Sequence, residues 1–211
     1  MKTKVTMLLA LLSALAGAAA TLAHPGGVDA DGCHRDRGTQ QRHCHPERAS
    51  RPARDATKPP HPGDEGVFYG PVTDAIDGDS LKAKIQGVVM EFRLAGIDAP
   101  ESDQPYGKQA AAELRALVKG RQITVVFEDV DRYGRVVGDV WVDSLFINRE
   151  LVARGAAWFY PQFARDDALF QAEEAARDAK RGLWALSADE RVEPWVWRER
   201  KRAAGRPDDR R

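Results

Sequence analysis

Alternate apolar positions at Val88, Met90, Phe92 and Leu94 run straight into Gly96-Ile97-Asp98-Ala99-Pro100-Glu101, and this stretch constrains the chain more than any other. A period of two puts the four apolar side chains on one face of a half-buried strand and sends Arg93 to the opposite face. Pro100 fixes its own φ and keeps Ala99 extended, so Asp98 and Glu101 ride on a stiff loop at the strand's end. The pattern recurs nearby. Val67–Val72, Ser80–Ile85, residues 121–128 and residues 136–142 read as four further short strands, with Pro71 marking an edge or a break in the first. One helical run, carrying Ala110, Leu114, Leu117 and Val118 at helical spacing and stopped by Gly120, separates strands three and four. Two more helices are expected at about 147–154 and 166–181. Five short strands interrupted by a single helix, with no Gly-rich dinucleotide or phosphate loop, fit a small barrel better than a βαβ sheet.

The flanks of that barrel carry different signals. Residues 1–23 begin with Lys2 and Lys4, continue through an apolar run from Val5 to Leu15 and end in small residues, the layout of an export signal. The run is too short and Ala-rich for a comfortable membrane span, and no second apolar segment of spanning length follows. The expected location is therefore the periplasm or the outside of the cell. Residues 24–50 contain both cysteines and four of the five histidines but almost nothing apolar, so a hydrophobic core is excluded. If anything holds this segment together, it is a Cys33–Cys44 disulfide or a zinc site drawn from Cys33, His34, His43, Cys44 and His45; the third reading is neither. Residues 51–65 are a Pro/Arg-rich linker, 66–186 the barrel domain, and 187–211 a charged extension with Trp195 and Trp197, either a clasp on the barrel or a loosely anchored tail. The 32 basic and 32 acidic side chains cancel, which argues against a protein that coats nucleic acid but not against one whose positive charge lines a cleft.

Three loops carry groups that belong together chemically. Asp79 follows the Asp77-Gly78 turn, Asp98 and Glu101 sit after the third strand, and Arg135 closes Asp131-Arg132-Tyr133-Gly134-Arg135. Carboxylates from separate loops repel and lose water when they converge, and a hard divalent cation supplies the reason to do so. Glu101 is placed to take a proton from water, and Arg93 and Arg135 to fork onto phosphate oxygens.

The ordered set DGDS at 77–80, FRLAGIDAPE at 92–101, YGKQAAAEL at 106–114, DRYGR at 131–135 and INRELVARGAA at 147–157 resembles the thermonuclease (staphylococcal or micrococcal nuclease-like) family over about residues 66–186. The Cys/His-rich segment resembles one found ahead of some secreted bacterial nucleases. The family resemblance implies a mainly β fold with helices, a five-stranded OB-fold barrel with three helices. It also implies a calcium-dependent endonuclease of low sequence specificity, acting on DNA and RNA as a monomer without a stable protein partner and releasing 3′-phosphorylated products. Carried over by motif, Asp79, Asp98 and the Ala99 carbonyl would hold Ca2+. Arg93, Glu101 and Arg135 would be catalytic, and Arg132 and Tyr133 would touch a terminal phosphate of the substrate. Ser80 and Ala99 stand where threonine is found in the family, and the loop from Glu101 to Tyr106 is shorter. Two other readings are a non-catalytic OB-fold nucleic-acid-binding module and an envelope-associated module whose Cys/His segment binds metal.

Overall fold

The structure, a computed structural model, describes residues 33–35, 42–44, 59–161 and 167–204, with the backbone alone for the first two segments and for Asp167. Strands β1 (Cys33–Arg35) and β2 (Arg42–Cys44) form an antiparallel pair with Cys33 opposite Cys44 and His34 opposite His43. The side chains of those four residues, His45, the segment 1–23 and most of the linker lie outside the described residues.

The barrel strands are β3 (Val67–Ala75), β4 (Ser80–Ile85) and β5 (Val88–Leu94), followed after the two-residue β6 (Ile97–Asp98) and helix α1 (Gly107–Val118) by β7 (Gln122–Val130) and β8 (Val136–Val142). They pair in the order β5-β4-β3-β7-β8, and a parallel β5–β8 pairing closes the ring, with Arg93 beside Val137. These five strands are the ones the alternation predicts. Pro71 lies where β3 changes partner: residues 67–71 pair with β7, while Val72 to Ala75 pair with β4 across a bulge. A residue without an N–H is tolerated at such a handover.

Phe92, Leu94, Leu81, Ala83, Ile123, Val125 and Val140 fill the barrel, and α1 lays Ala110, Leu114 and Val118 against it. Beyond β8 come the short β9 (Leu145–Phe146), α2 (Ile147–Ala153), β10 (Trp158–Phe159), α3 (Asp167–Asp178), a 3-10 turn at Gly182–Ala185 and α4 (Pro194–Ala204). The buried Asn148 stitches α2 to the barrel: its amide oxygen accepts from the Val140 N–H at 2.9 Å and its nitrogen donates to the Ala95 carbonyl at 2.9 Å. The structure thus corrects the expectation of three helices to four. The extension is helical because Pro194 fits a helix's first turn and Trp195 has an aromatic surface to pack on, neither of which shows as apolar periodicity in so charged a segment.

Candidate active site

Asp79 and Asp98 are brought together at one mouth of the barrel and buried, 6% and 1% exposed. Their backbones are fixed before their side chains are. The Leu94 N–H donates to the Asp79 carbonyl at 2.9 Å, and β6 pairs with β10 so that Asp98 stands opposite Trp158. Gly78 lets the two loops touch, since a Cβ there would lie 2.6 Å from the Ala99 Cβ and 2.8 Å from the Ala110 Cβ. Gly107 does the same for the next turn, because a Cβ would fall 1.8 Å from the Glu101 carbonyl oxygen. That turn is closed by Gln104, whose side-chain oxygen accepts from the Glu101 N–H at 3.1 Å.

From Arg135 to Glu101 the polar groups form one continuous chain. The Arg135 Nη1 donates to Ser80 Oγ at 3.1 Å, and Ser80 Oγ donates to Asp79 Oδ1 at 3.2 Å. Asp79 Oδ2 accepts from the Ala99 N–H at 2.6 Å and lies 3.1 Å from Arg93 Nη2. The same nitrogen reaches Asp98 Oδ1 at 3.0 Å and the Ile97 carbonyl at 2.9 Å, while Arg93 Nη1 donates to the Leu94 carbonyl at 2.7 Å. Arg198 of α4 then forks onto Asp98 and reaches Glu101 Oε1 at 2.7 Å. All five residues expected at the chemistry, Asp79, Arg93, Asp98, Glu101 and Arg135, therefore share one face.

Burial lifts the Asp98 carboxyl to about 6 despite the Arg198 fork, the charge of Asp79 adding to the rise. Desolvation and the Asp79 charge lift Asp77 to about 6 as well. Arg198 is held more firmly charged than an ordinary arginine: burial works against it, and its hydrogen bonds to Asp98 and Glu101 outweigh that. Both rises are led by loss of water around the carboxyls, with the Asp79 charge adding to them. Among the described residues, no group of three or more His, Cys, Asp or Glu side chains is arranged as a metal centre.

Arg132 and Tyr133 lie further out. Asp131 organises their hairpin by accepting from the Tyr133 and Arg135 N–H groups at 2.9 and 3.0 Å and from Arg135 Nε at 2.7 Å. Arg132 Nη2 donates to the Tyr133 hydroxyl at 2.7 Å, and the Tyr133 ring, 70% exposed, lies under the Arg132 and Arg135 guanidinium groups. Of the aromatic run at 158–160, Trp158 and Phe159 are core residues, and Tyr160 stacks on Trp195 at 4.9 Å. Sequence reasoning missed Arg198 and treated Asp77 only as a turn residue. The adjacent Trp195 and Trp197 were the available signal for Arg198.

Residues 91–186 match the family model described as staphylococcal nuclease homologue. An "Uncharacterized endonuclease" of Escherichia coli is 40% identical over 135 residues, covering 64% of this chain and 87% of that relative. The chain belongs to the staphylococcal nuclease homologue family. Two further proteins are also similar to this chain. "Protein ParB" of Escherichia coli is 36% identical over 140 residues, 61% of this chain and 78% of its own length. The "Staphylococcal-like nuclease CAN1" of Arabidopsis thaliana is 43% identical over 111 residues, which is 53% of this chain but only 34% of the plant protein.

Proposed function

We propose that this family member is an exported, calcium-dependent endonuclease that hydrolyses phosphodiester bonds of DNA and RNA with low sequence specificity. The observation that carries the reading is the unbroken polar chain that joins two buried carboxylates, Glu101 and the guanidinium groups of Arg93, Arg135 and Arg198 on one face. The family relationship and the endonuclease among its relatives support it. Export rests on the layout of residues 1–23. Among the described residues, no helix is long and apolar enough to cross a membrane.

A hard divalent cation fits the donor set. Asp79, Asp98 and the Ala99 carbonyl are all oxygen donors, and a cation beside the two buried aspartates would offset the charge they carry when ionised. Calcium takes about six to eight oxygens, so water and substrate oxygens would complete the set these three donors begin. When bound, calcium supplies charge that polarises the phosphodiester and makes water a better nucleophile. The chain's own residues do the rest. Arg93 and Arg135 hold non-bridging phosphate oxygens and stabilise the additional charge of the pentacoordinate state. Glu101 accepts a proton as the water oxygen bonds to phosphorus. The bond from phosphorus to the 5′ oxygen then breaks; that oxygen takes a proton from solvent water and Glu101 returns its own to solvent, leaving a 3′-phosphate and a free 5′ hydroxyl. Arg132 and Tyr133, exposed beside Arg135, are placed for a terminal phosphate.

Digestion of single- and double-stranded DNA and of RNA, with calcium or with chelator, tests this directly. Glu101→Gln is expected to lower turnover by at least ~10²-fold, the scale for loss of a positioned proton acceptor. Equal turnover in the variant removes Glu101 from the mechanism, and full activity in chelator removes the cation.

A further inference from the structure

A run of charges at a C-terminus is most simply a solvated face, and Glu199, Arg200 and Arg202 are exposed in that way. Arg198 is not. Helix α4 is pinned across the 99–106 loop from several sides. Trp195 stacks flat on Tyr160 at 4.9 Å and 3° and meets the edge of Trp158 at 6.3 Å. Trp197 Nε1 donates to Asp103 Oδ1 at 3.3 Å, and Lys201 Nζ pairs with Asp103 Oδ2 at 2.6 Å. Just before the helix, Gln104 donates through its side-chain nitrogen to the Val192 carbonyl.

Held this way, Arg198 delivers its guanidinium to the two residues the reaction depends on. Its Nη2 reaches Asp98 Oδ2 at 2.7 Å, and its Nη1 reaches Asp98 Oδ1 at 3.1 Å and Glu101 Oε1 at 2.7 Å. With Arg93 also on Oδ1, both oxygens of Asp98 are engaged. A fork of this kind is the strong geometry for a carboxylate, and it uses the same oxygens that a hard divalent cation needs. The Arg198 side chain is nonetheless 37% exposed, so water is at hand to take it when it leaves.

We infer that α4 is a cation-displaced latch: Arg198 occupies Asp98 and Glu101 while the site lacks a divalent cation, and withdraws from them when one binds. The inference rests on the proposed reading of this mouth as a calcium site. It makes cation binding pay for opening the latch, so the apparent affinity is lower than that of the open site. It also places residues just beyond the matched stretch 91–186 in control of the chemistry.

The test is a calorimetric calcium titration of the full chain, its Arg198→Gln variant and its Trp195→Ala variant, with deuterium uptake followed across 194–204. Arg198→Gln removes the competing charge, and Trp195→Ala loosens the helix without touching a carboxylate. Both are expected to bind calcium ~10-fold more tightly than the native chain, equivalent to about 1.4 kcal/mol. Calcium is expected to raise uptake across 194–204 in the native chain. Equal or weaker binding by both variants, or uptake in the native chain that calcium does not change, overturns the latch. If the native chain binds calcium and cuts nucleic acid while the variants bind no more tightly, only the latch falls. If neither the native chain nor either variant binds calcium, the cation site itself is wrong and the latch goes with it.

Discussion

Asp77 spends its hydrogen-bonding capacity locally: its Oδ1 accepts from the Asp79 N–H at 3.0 Å, shaping the turn that presents Asp79. Desolvation and the neighbouring Asp79 raise its carboxyl from 3.8 to about 6. A group raised on folding binds its proton more tightly in the native state. Its contribution to stability is fully present below the unfolded value and lost as pH rises through about 6. At neutral pH the ionised Asp77 is therefore a cost, and an amide that keeps the accepting oxygen removes it. In chelator, Asp77→Asn is expected to unfold roughly 2–4 °C above the native chain at pH 7, with the gap gone by about pH 4. Thermal unfolding across that range decides the matter, and a constant gap would rule out ionisation as its cause. Nothing in the sequence distinguished Asp77 from an ordinary turn aspartate, because the strain comes from Asp79 and burial rather than from its position between Ile76 and Gly78.

Elements were legible where their periodicity was strong. The alternation of Val88, Met90, Phe92 and Leu94 marks β5, although only Phe92 and Leu94 are buried and Val88 is exposed, and the spacing of the buried Ala110, Leu114 and Val118 marks α1. Helix α4 had no such face to advertise. Its partners, Tyr160, Asp103 and Asp98, are 35 to 100 positions away in the chain, and a single sequence carries no trace of pairings at that range. The small β1–β2 pair adds information the Cys/His spacing lacked. Cys33 and Cys44 share one register position, while His34 and His43 share the next. Directly opposed antiparallel positions lie ~4.5–5.5 Å apart at Cα, within the span of a disulfide, whereas successive positions serve opposite faces of a ribbon. We propose a Cys33–Cys44 cystine rather than a four-ligand zinc site for this segment. Alkylation and mass spectrometry of protein produced in an oxidising compartment should find both thiols protected until a reductant is added. Free alkylation of both would return the choice to zinc.

At the scale of the whole molecule, the seam between β5 and β8 decides what the barrel can do. Phe92 lies opposite Val136, Arg93 opposite Val137 and Leu94 opposite Gly138, so the strand bearing Arg93 is completed by one more than 40 residues later. The loop bearing Asp98 waits longer still, for Trp158 of β10. A chain ending at Val130 keeps Asp79, Arg93, Asp98 and Glu101 but lacks both β8 and β10, and its circular dichroism is expected to show no cooperative melting. A sharp transition in that fragment would mean the seam is dispensable. On the proposed function, the same late closure protects the producing cell: a half-made polypeptide on the ribosome, or one kept unfolded for export, carries the cutting residues without a scaffold to align them, and the genome beside it goes uncut.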